Sequence, residues 1–146
     1  MRGSRLVGAL TGTVTFLFTD IEGSTRLWQQ DERVMRQAVA RHDELLQQVA
    51  AAHGGVVFST MGDGMAVAFR SASAAITAAL AAQRALTSED WPTGGPIRVR
   101  MGLHTGEAEL RDGDYFGTAV NRAARLMAIG NGSQVLCSVQ LCSQPR

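Results

Sequence analysis

An α+β fold is predicted for this chain of 146 residues. Strand-like apolar runs alternate with long Ala-rich segments of helical spacing, and a Gly-Asp-Gly tip joins two β-prone runs. The resulting order, βαββαβ, is that of a ferredoxin-like core, which groups the end of the first strand with the tip of the hairpin. A content of 45% hydrophobic and 18% charged residues is ordinary for one globular domain.

Each element follows from a local pattern. Val34, Ala38, Leu45 and Val49 have the spacing of one helix face, and residues 97–104 alternate apolar and polar side chains as a half-buried strand does. The predicted elements are a strand at 13–19, one long helix at 24–52, hairpin strands at 56–60 and 66–69, a helix at 71–86, a strand at 97–104, a polar turn that runs into an Ala-rich helix within 112–126, and a strand at 134–139.

Two carboxylates stand at the ends of predicted strands. Asp20 follows an apolar run and precedes a turn of small residues, and Asp63 occupies the hairpin tip. Carboxylates at neighbouring strand ends can share divalent cations, and Mg²⁺ is typically held by one or two carboxylates together with substrate phosphates. Taken alone, Asp63 is equally well explained as a turn residue whose side chain caps backbone amides.

A third group of polar residues begins the Ala-rich helix. Asn121 and Arg125 are four residues apart, which places them on one helix face. An isolated pair of this kind is more often a solvated surface. The alternative is an amide that holds a sugar oxygen beside a guanidinium that stabilises a phosphate.

The three segments together, from about residue 12 to about residue 139, resemble the class III nucleotidyl cyclase catalytic domain. The sequence of residues 18–25, Phe-Thr-Asp-Ile-Glu-Gly-Ser-Thr, is most similar to that of bacterial members, including those associated with transcriptional regulators. The family converts ATP to cyclic AMP or GTP to cyclic GMP. The resemblance therefore implies a cyclase domain at 12–146, after an N-terminal extension at 1–11.

The resemblance also implies roles for individual residues. Two ions, Mg²⁺ or Mn²⁺, would be held by Asp20 and Asp63, with the backbone carbonyl of Ile21 as a further ligand. The triphosphate would meet the turn that includes Gly23 and Ser24, as phosphates meet helix N-termini.

In the same family Asp114 matches the residue that reads the base, as an acceptor for the adenine amino group. Asn121 and Arg125 match the pair that orients the ribose and stabilises the transition state. The family forms its site between two subunits, so a homodimer is implied.

The chain departs from the family at two places. A lysine that helps to recognise the purine is replaced by Ser59, and all 14 basic residues are arginine, so the chain has no lysine. A serine hydroxyl brings no charge, so weaker base selectivity is expected. The family also continues through a further helix and a β-hairpin, so the domain is expected to be C-terminally short.

Composition excludes several other classes. A net charge of +1, with no basic stripe, argues against direct nucleic-acid binding. The apolar run at residues 6–10 is too short for a signal peptide, and no stretch is long enough for a membrane span. Two cysteines are too few for a disulfide scaffold. A cytoplasmic location is expected.

The resemblance thus implies an adenylyl cyclase that acts as a homodimer on ATP, with GTP as the second purine substrate to test. The alternative is a weak or inactive cyclase-like module that binds a nucleotide or partner for regulation. A purely structural dimerisation domain would need none of the four residues Asp20, Asp63, Asn121 and Arg125, so their joint presence argues against it.

Overall fold

The computed structural model describes residues 10–138. Of the predicted extension at 1–11, only Leu10 and Thr11 are among them, and the last residue of the predicted strand at 134–139 lies outside. The strands are β1 (Thr13–Ile21), β2 (Val56–Met61), β3 (Gly64–Phe69), β4 (Val99–Glu107), β5 (Glu109–Arg111), β6 (Asp114–Phe116) and β7 (Val135–Cys137). The helices are α1 (Ser24–Gln30), α2 (Glu32–Ala52), α3 (Ala72–Ser88) and α4 (Thr118–Ile129).

The main sheet has five strands in the order β2-β3-β1-β4-β7. The strand β1 is central and pairs antiparallel with both β3 and β4, while β7 is parallel to β4. The first four strands therefore have the order of a ferredoxin-like sheet, and the predicted α+β fold is confirmed. The remaining strands, β5 and β6, form a separate two-stranded hairpin.

The helices α2 and α3 cover one face of the sheet. Because β1 alternates, Leu17 and Ile21 join the apolar core beneath these helices, whereas Val14 and Phe16 join a smaller core on the opposite face. Apolar burial on the first face is continuous from β3 across β1 to β4. This face supplies most of the hydrophobic stabilisation of the domain.

The helix α4 lies on the opposite face and packs very close to β4. A Cβ added at Gly102 would lie only 2.3 Å from the backbone nitrogen of Met127 and 2.6 Å from the carbonyl oxygen of Ala123. One added at Gly106 would lie 2.7 Å from the Cβ of Ala119. Two glycines on β4 therefore set the position of α4 over the sheet.

Two local predictions were wrong. The long helix expected at 24–52 is broken at Asp31, whose backbone is extended and whose side chain accepts a hydrogen bond from the Val34 N–H at 3.2 Å. Asp31 thus caps α2 and ends α1 without any glycine or proline. The polar segment before α4 is a β-hairpin rather than a simple turn, because Asp112 and Gly113 both adopt positive φ.

In the described part of the chain, every helix is either too short or too polar to cross a lipid bilayer.

Candidate active site

Asp20 and Asp63, the two predicted metal ligands, line the same cleft. Asp20 is the penultimate residue of β1, and Asp63 lies in the turn between β2 and β3. The cleft has a volume of about 240 Å³, and Met127 of α4 also lines it. The other lining residues belong to β1, β2 and β3; they are Phe18, Thr19, Ser59, Met61, Gly64, Met65 and Ala66. The fold thus brings the end of β1 and the hairpin turn together.

The hairpin turn holds Asp63 in a half-buried position. Gly62 has a φ of 57°, and a Cβ at Gly64 would lie 3.2 Å from the Thr19 carbonyl oxygen, so the turn approaches β1 closely. The Oδ2 atom of Asp63 is buried and has no hydrogen-bond partner among the described residues. Because an unsatisfied buried carboxylate oxygen is costly, this atom favours a cation as its neighbour.

Asp20 has a different environment, because Arg100 donates hydrogen bonds to both of its carboxylate oxygens. The two residues are opposite each other on β1 and β4. Nε of Arg100 donates to Oδ1 at 2.7 Å, and Nη2 donates to Oδ2. Nη1 donates to the carbonyl oxygen of Ala128 at 3.0 Å. The hydrogen bonds that Arg100 donates to Asp20 raise the pKa of Arg100, burial opposes this, and the charges of Asp20, Glu22 and Asp63 add to the rise.

Arg100 was not among the site residues predicted from the sequence. Its signal was the alternation in residues 97–104, which places Arg100 on the face opposite Val99 and Met101. Assigning its partner required the register of β4 against β1, which no local pattern gives.

The turn after β1 contains the predicted phosphate-contacting residues. Gly23 has a φ of 68°, in the left-handed region, and α1 begins at Ser24. The Glu22 N–H donates to the Arg98 carbonyl oxygen at 2.8 Å, which ties the turn to the residue before β4. The side chain of Ile21 is buried, so any ligand contact from this residue would come from its backbone.

Ser59 lines the cleft beside the carboxylates because β2 is irregular. The pairing of β2 with β3 shifts between Val57 and Ser59, and Ser59 then pairs with Ala66. Phe58 contacts the aromatic rings of Phe16 and Phe18, on the same face as the cleft. A bulge allows these two consecutive residues to share a face, whereas a regular strand would point Ser59 away.

The other predicted site residues do not line this cleft. Asp114 is exposed on β6, opposite Arg111. Asn121 and Arg125 are exposed on α4, whose buried positions are Ala119 and Ala123. The chain therefore carries two separate groups, a cleft with Asp20, Ser59 and Asp63 and an exposed helix face with Asn121 and Arg125.

The cleft is a suitable site for Mg²⁺ or Mn²⁺. It offers two carboxylates, one of them with an unpartnered oxygen, and hard cations of this kind prefer oxygen ligands. Within residues 10–138 no cluster of three or more His, Cys, Asp or Glu side chains could hold a metal ion. Two carboxylates are nevertheless the usual protein share of a Mg²⁺ site that is completed by substrate phosphates.

Comparison with known proteins gives the family. Residues 8–143 match the family profile of the adenylate and guanylate cyclase catalytic domain. An uncharacterized protein of Mycobacterium tuberculosis is 44% identical over 130 residues, which are 88% of this chain and 43% of that protein. An adenylate cyclase of Neurospora crassa is 34% identical over 164 residues, covering 94% of this chain and 7% of that enzyme. The chain thus spans less than half the length of either relative.

A solved structure agrees with these sequence matches. An adenylate cyclase from Trypanosoma brucei, in its monomeric state, superposes with a TM-score of 0.84 at 29% identity, covering 92% of this chain and 77% of that one. The family match and the fold therefore lead to one conclusion: the chain belongs to the adenylate and guanylate cyclase catalytic domain family.

Proposed function

We propose that this domain converts a purine nucleoside triphosphate, ATP in preference to GTP, into the 3′,5′-cyclic nucleotide and pyrophosphate. The observation that carries the proposal is the shared cleft of Asp20 and Asp63, with its unpartnered carboxylate oxygen, in a chain of this family. In the reaction the ribose 3′-oxygen forms a bond to the α-phosphorus and loses its proton. The bond from that phosphorus to the β-phosphate oxygen breaks.

Asp20 and Asp63 would hold two cations, Mg²⁺ or Mn²⁺, with the Ile21 carbonyl as a further ligand. When bound, such ions activate the 3′-hydroxyl and neutralise charge on the leaving pyrophosphate. The side chains themselves fix the position of the reacting centre, because β1 and the β2–β3 turn are parts of one sheet. The left-handed turn at Gly23 and Ser24 is proposed to meet the triphosphate through backbone N–H groups.

The remaining roles require a second copy of the chain. Asn121 and Arg125 are exposed and are not among the residues that line the cleft of their own chain. In a homodimer, this helix face of one subunit would cover the cleft of the other. Asn121 would then orient the ribose, and Arg125 would stabilise charge at the phosphorus in the transition state. Asp114 would accept a hydrogen bond from the adenine amino group, which is the reason to propose ATP over GTP.

The direct test is product formation from ATP and from GTP, with Mn²⁺ and concentrated protein, for the wild type and for Asp20→Asn. We expect cyclic AMP as the main product and its loss in the variant. Ser59 in the cleft predicts some cyclic GMP, because a hydroxyl discriminates purines less than a charged group does. Full turnover by Asp20→Asn would show that the metal assignment is wrong.

Complementation tests the shared site. Asp20→Asn and Arg125→Ala each inactivate a homodimer, but a mixed dimer keeps one site built from two intact halves. Equal mixing should restore roughly a quarter of wild-type turnover, since half of the dimers are mixed and each has one working site. Subunit exchange without any recovery of product would contradict a site built from two chains.

A regulatory module is the second candidate, and two observations favour it. Ser59 stands where the family has a lysine, and Asp20 is already paired with Arg100. Such a module would bind ATP with a metal-dependent affinity but release it unchanged. Calorimetric titration of a non-cyclisable ATP analogue with and without Mn²⁺, beside the product assay, separates the two functions.

A further inference from the structure

The two carboxylates of the cleft are not equivalent. Asp20 is neutralised by Arg100 through both of its oxygens, whereas Oδ2 of Asp63 is buried without a hydrogen-bond partner in the described chain. A cation that approaches the cleft therefore finds one carboxylate free and the other already engaged. Electrostatics favours binding first where no positive charge has to be displaced.

The Asp20–Arg100 pair is placed so that it can open. The side chains of Arg100 and Asp20 are 27% and 23% exposed, so water reaches both groups. An ion pair in such a position stabilises the fold only modestly, because solvent screens it and both groups can be rehydrated. The stabilisation that is lost when the pair opens can be offset by a divalent ion that gains Asp20 as a ligand.

We infer that Arg100 is an internal counter-ion of Asp20 that competes with the divalent cation, so that Arg100 limits cation affinity and the cleft fills from Asp63 towards Asp20. The inference rests on the proposed metal role of the two aspartates. In this inference Arg100 does not contact the substrate or the cation; it acts on cation binding by holding the Asp20 carboxylate.

A second contact of Arg100 links the replacement of Arg100 by a cation at Asp20 to α4. Nη1 of Arg100 donates to the Ala128 carbonyl oxygen in the last turn of α4, and this bond does not involve Asp20. Arg100 therefore keeps one partner when it leaves the carboxylate. Since α4 carries Asn121 and Arg125, cation binding at Asp20 is mechanically connected to the helix that is proposed to complete the partner's site.

The test is Mn²⁺ binding in the absence of nucleotide, followed by electron paramagnetic resonance of the free ion. Arg100→Gln should bind Mn²⁺ at least about tenfold more tightly than the wild type, the change expected when one charge-assisted pair no longer competes. The matched control is Arg98→Gln, which removes the same charge from an exposed side chain two residues away. It should change the affinity by less than about twofold, because exposed charges are screened.

A double-mutant cycle separates a direct role from a general charge effect. In an Asp20→Asn background, adding Arg100→Gln should raise Mn²⁺ affinity far less than it does in the wild type, because the competition for Asp20 no longer exists and only the charge effect of Arg100 on Asp63 is left. Equal gains in both backgrounds, or equal gains from Arg98→Gln and Arg100→Gln, would overturn the inference. Arg100→Lys, which keeps the charge without the two-pronged contact, should fall between wild type and Arg100→Gln.

Melting temperature and product formation are two further measurements that distinguish a wrong role for Arg100 from a wrong metal site. Mn²⁺ should raise the melting temperature of Arg100→Gln more than that of the wild type, which confirms binding to folded protein. Product formation by the wild type is measured separately. If the wild type makes cyclic nucleotide while Arg100→Gln binds Mn²⁺ no better, only the role of Arg100 is wrong. If Asp20→Asn and Asp63→Asn leave Mn²⁺ binding unaltered, the proposed metal site itself fails.

Discussion

The two faces of the central strand β1 differ in how completely their side chains are buried. Towards α2 and α3, the side chains of Thr15, Leu17, Thr19 and Ile21 are all at most 5% exposed. Towards α4, Val14 and Phe16 are buried, but the later residues Phe18 and Asp20 are only partly covered. One face is thus closed from end to end, and the other is closed only where α4 reaches.

This difference explains where a site can form. The closed face holds the continuous apolar core, so substitutions there act mainly on folding. The half-open face leaves the end of β1 and the β2–β3 turn accessible, and those are the positions of Asp20 and Asp63. Substitutions that distinguish the two faces should therefore separate loss of activity from loss of stability.

The largest effect is expected from Asp63→Asn. Turnover should fall by roughly 10²–10³-fold or more, because a charged group that acts in the transition state is lost. The free energy of unfolding should stay the same or rise, since the buried carboxylate oxygen has no partner in the described residues. Product assays and denaturant unfolding measure the two quantities.

The control for this variant is Asp112→Asn in the β5–β6 turn. Asp112 is exposed and has a φ of 54°, a conformation that asparagine also tolerates. It should leave turnover and stability near the wild-type values. A large loss of stability in Asp63→Asn would mean that the open face also supports the fold, and the division between the faces would be wrong.

Gly102→Ala tests the closed part of the α4 face. The added Cβ would meet backbone atoms of α4 at 2.3 and 2.6 Å, so the whole helix must shift. We expect a loss of about 1–3 kcal/mol in the free energy of unfolding, the usual cost of overpacking. Gly95→Ala is the control, because a Cβ there has no neighbour within 4 Å. A cost for Gly102→Ala as small as that of Gly95→Ala would show that α4 is not fixed by this contact.

Sequence patterns predicted the elements whose signal is local. The hairpin at Asp63 and the strand before Asp20 were found because alternation and a Gly-Asp-Gly tip lie within a few residues of each other. The β5–β6 hairpin also had a local signal, the Asp112-Gly113 pair that suits a two-residue turn, but it was interpreted as a simple turn before a helix.

Contacts between distant segments could not be predicted in the same way. The pairing of Arg100 with Asp20 spans 80 positions and depends on strand register. The bulge that turns Ser59 into the cleft depends on β3. The break at Asp31 had a weak local signal, an Asp followed by Glu32, which helical periodicity on both sides outweighed.

Asp31→Ala removes the cap of α2, on the side of the closed face. The lost hydrogen bond to the Val34 N–H should cost about 1 kcal/mol of unfolding free energy. Ser71→Ala, which removes the equivalent cap of α3 at the Ala74 N–H, is a matched comparison and should cost a similar amount. Neither should change turnover per folded molecule. A selective fall in turnover for Asp31→Ala would show that α1, and the turn at Gly23 before it, depend on the break.

The smallest expected effect is a pH dependence from His104, a buried residue on the α4 face. Burial lowers its pKa, the charge of Arg122 lowers it further, and Nδ1 lies 2.8 Å from the Ser138 hydroxyl oxygen. Because the folded pKa is below the unfolded value of about 6.5, the unfolded chain binds more protons at acidic pH. Stability should therefore be complete above about pH 6.5 and decrease as the pH falls from there towards the folded pKa.

Unfolding free energies at about pH 7.5 and about pH 5.5 measure this effect, with His104→Gln as the variant. The difference in unfolding free energy between the two pH values should be smaller in His104→Gln than in the wild type. Arg98→Gln, which changes an exposed side chain, should keep the wild-type difference. If the variant keeps the whole difference, other groups titrate on unfolding and His104 adds nothing. If the difference disappears, the imidazole of His104 beneath α4 accounts for the acid sensitivity of the domain between these two pH values.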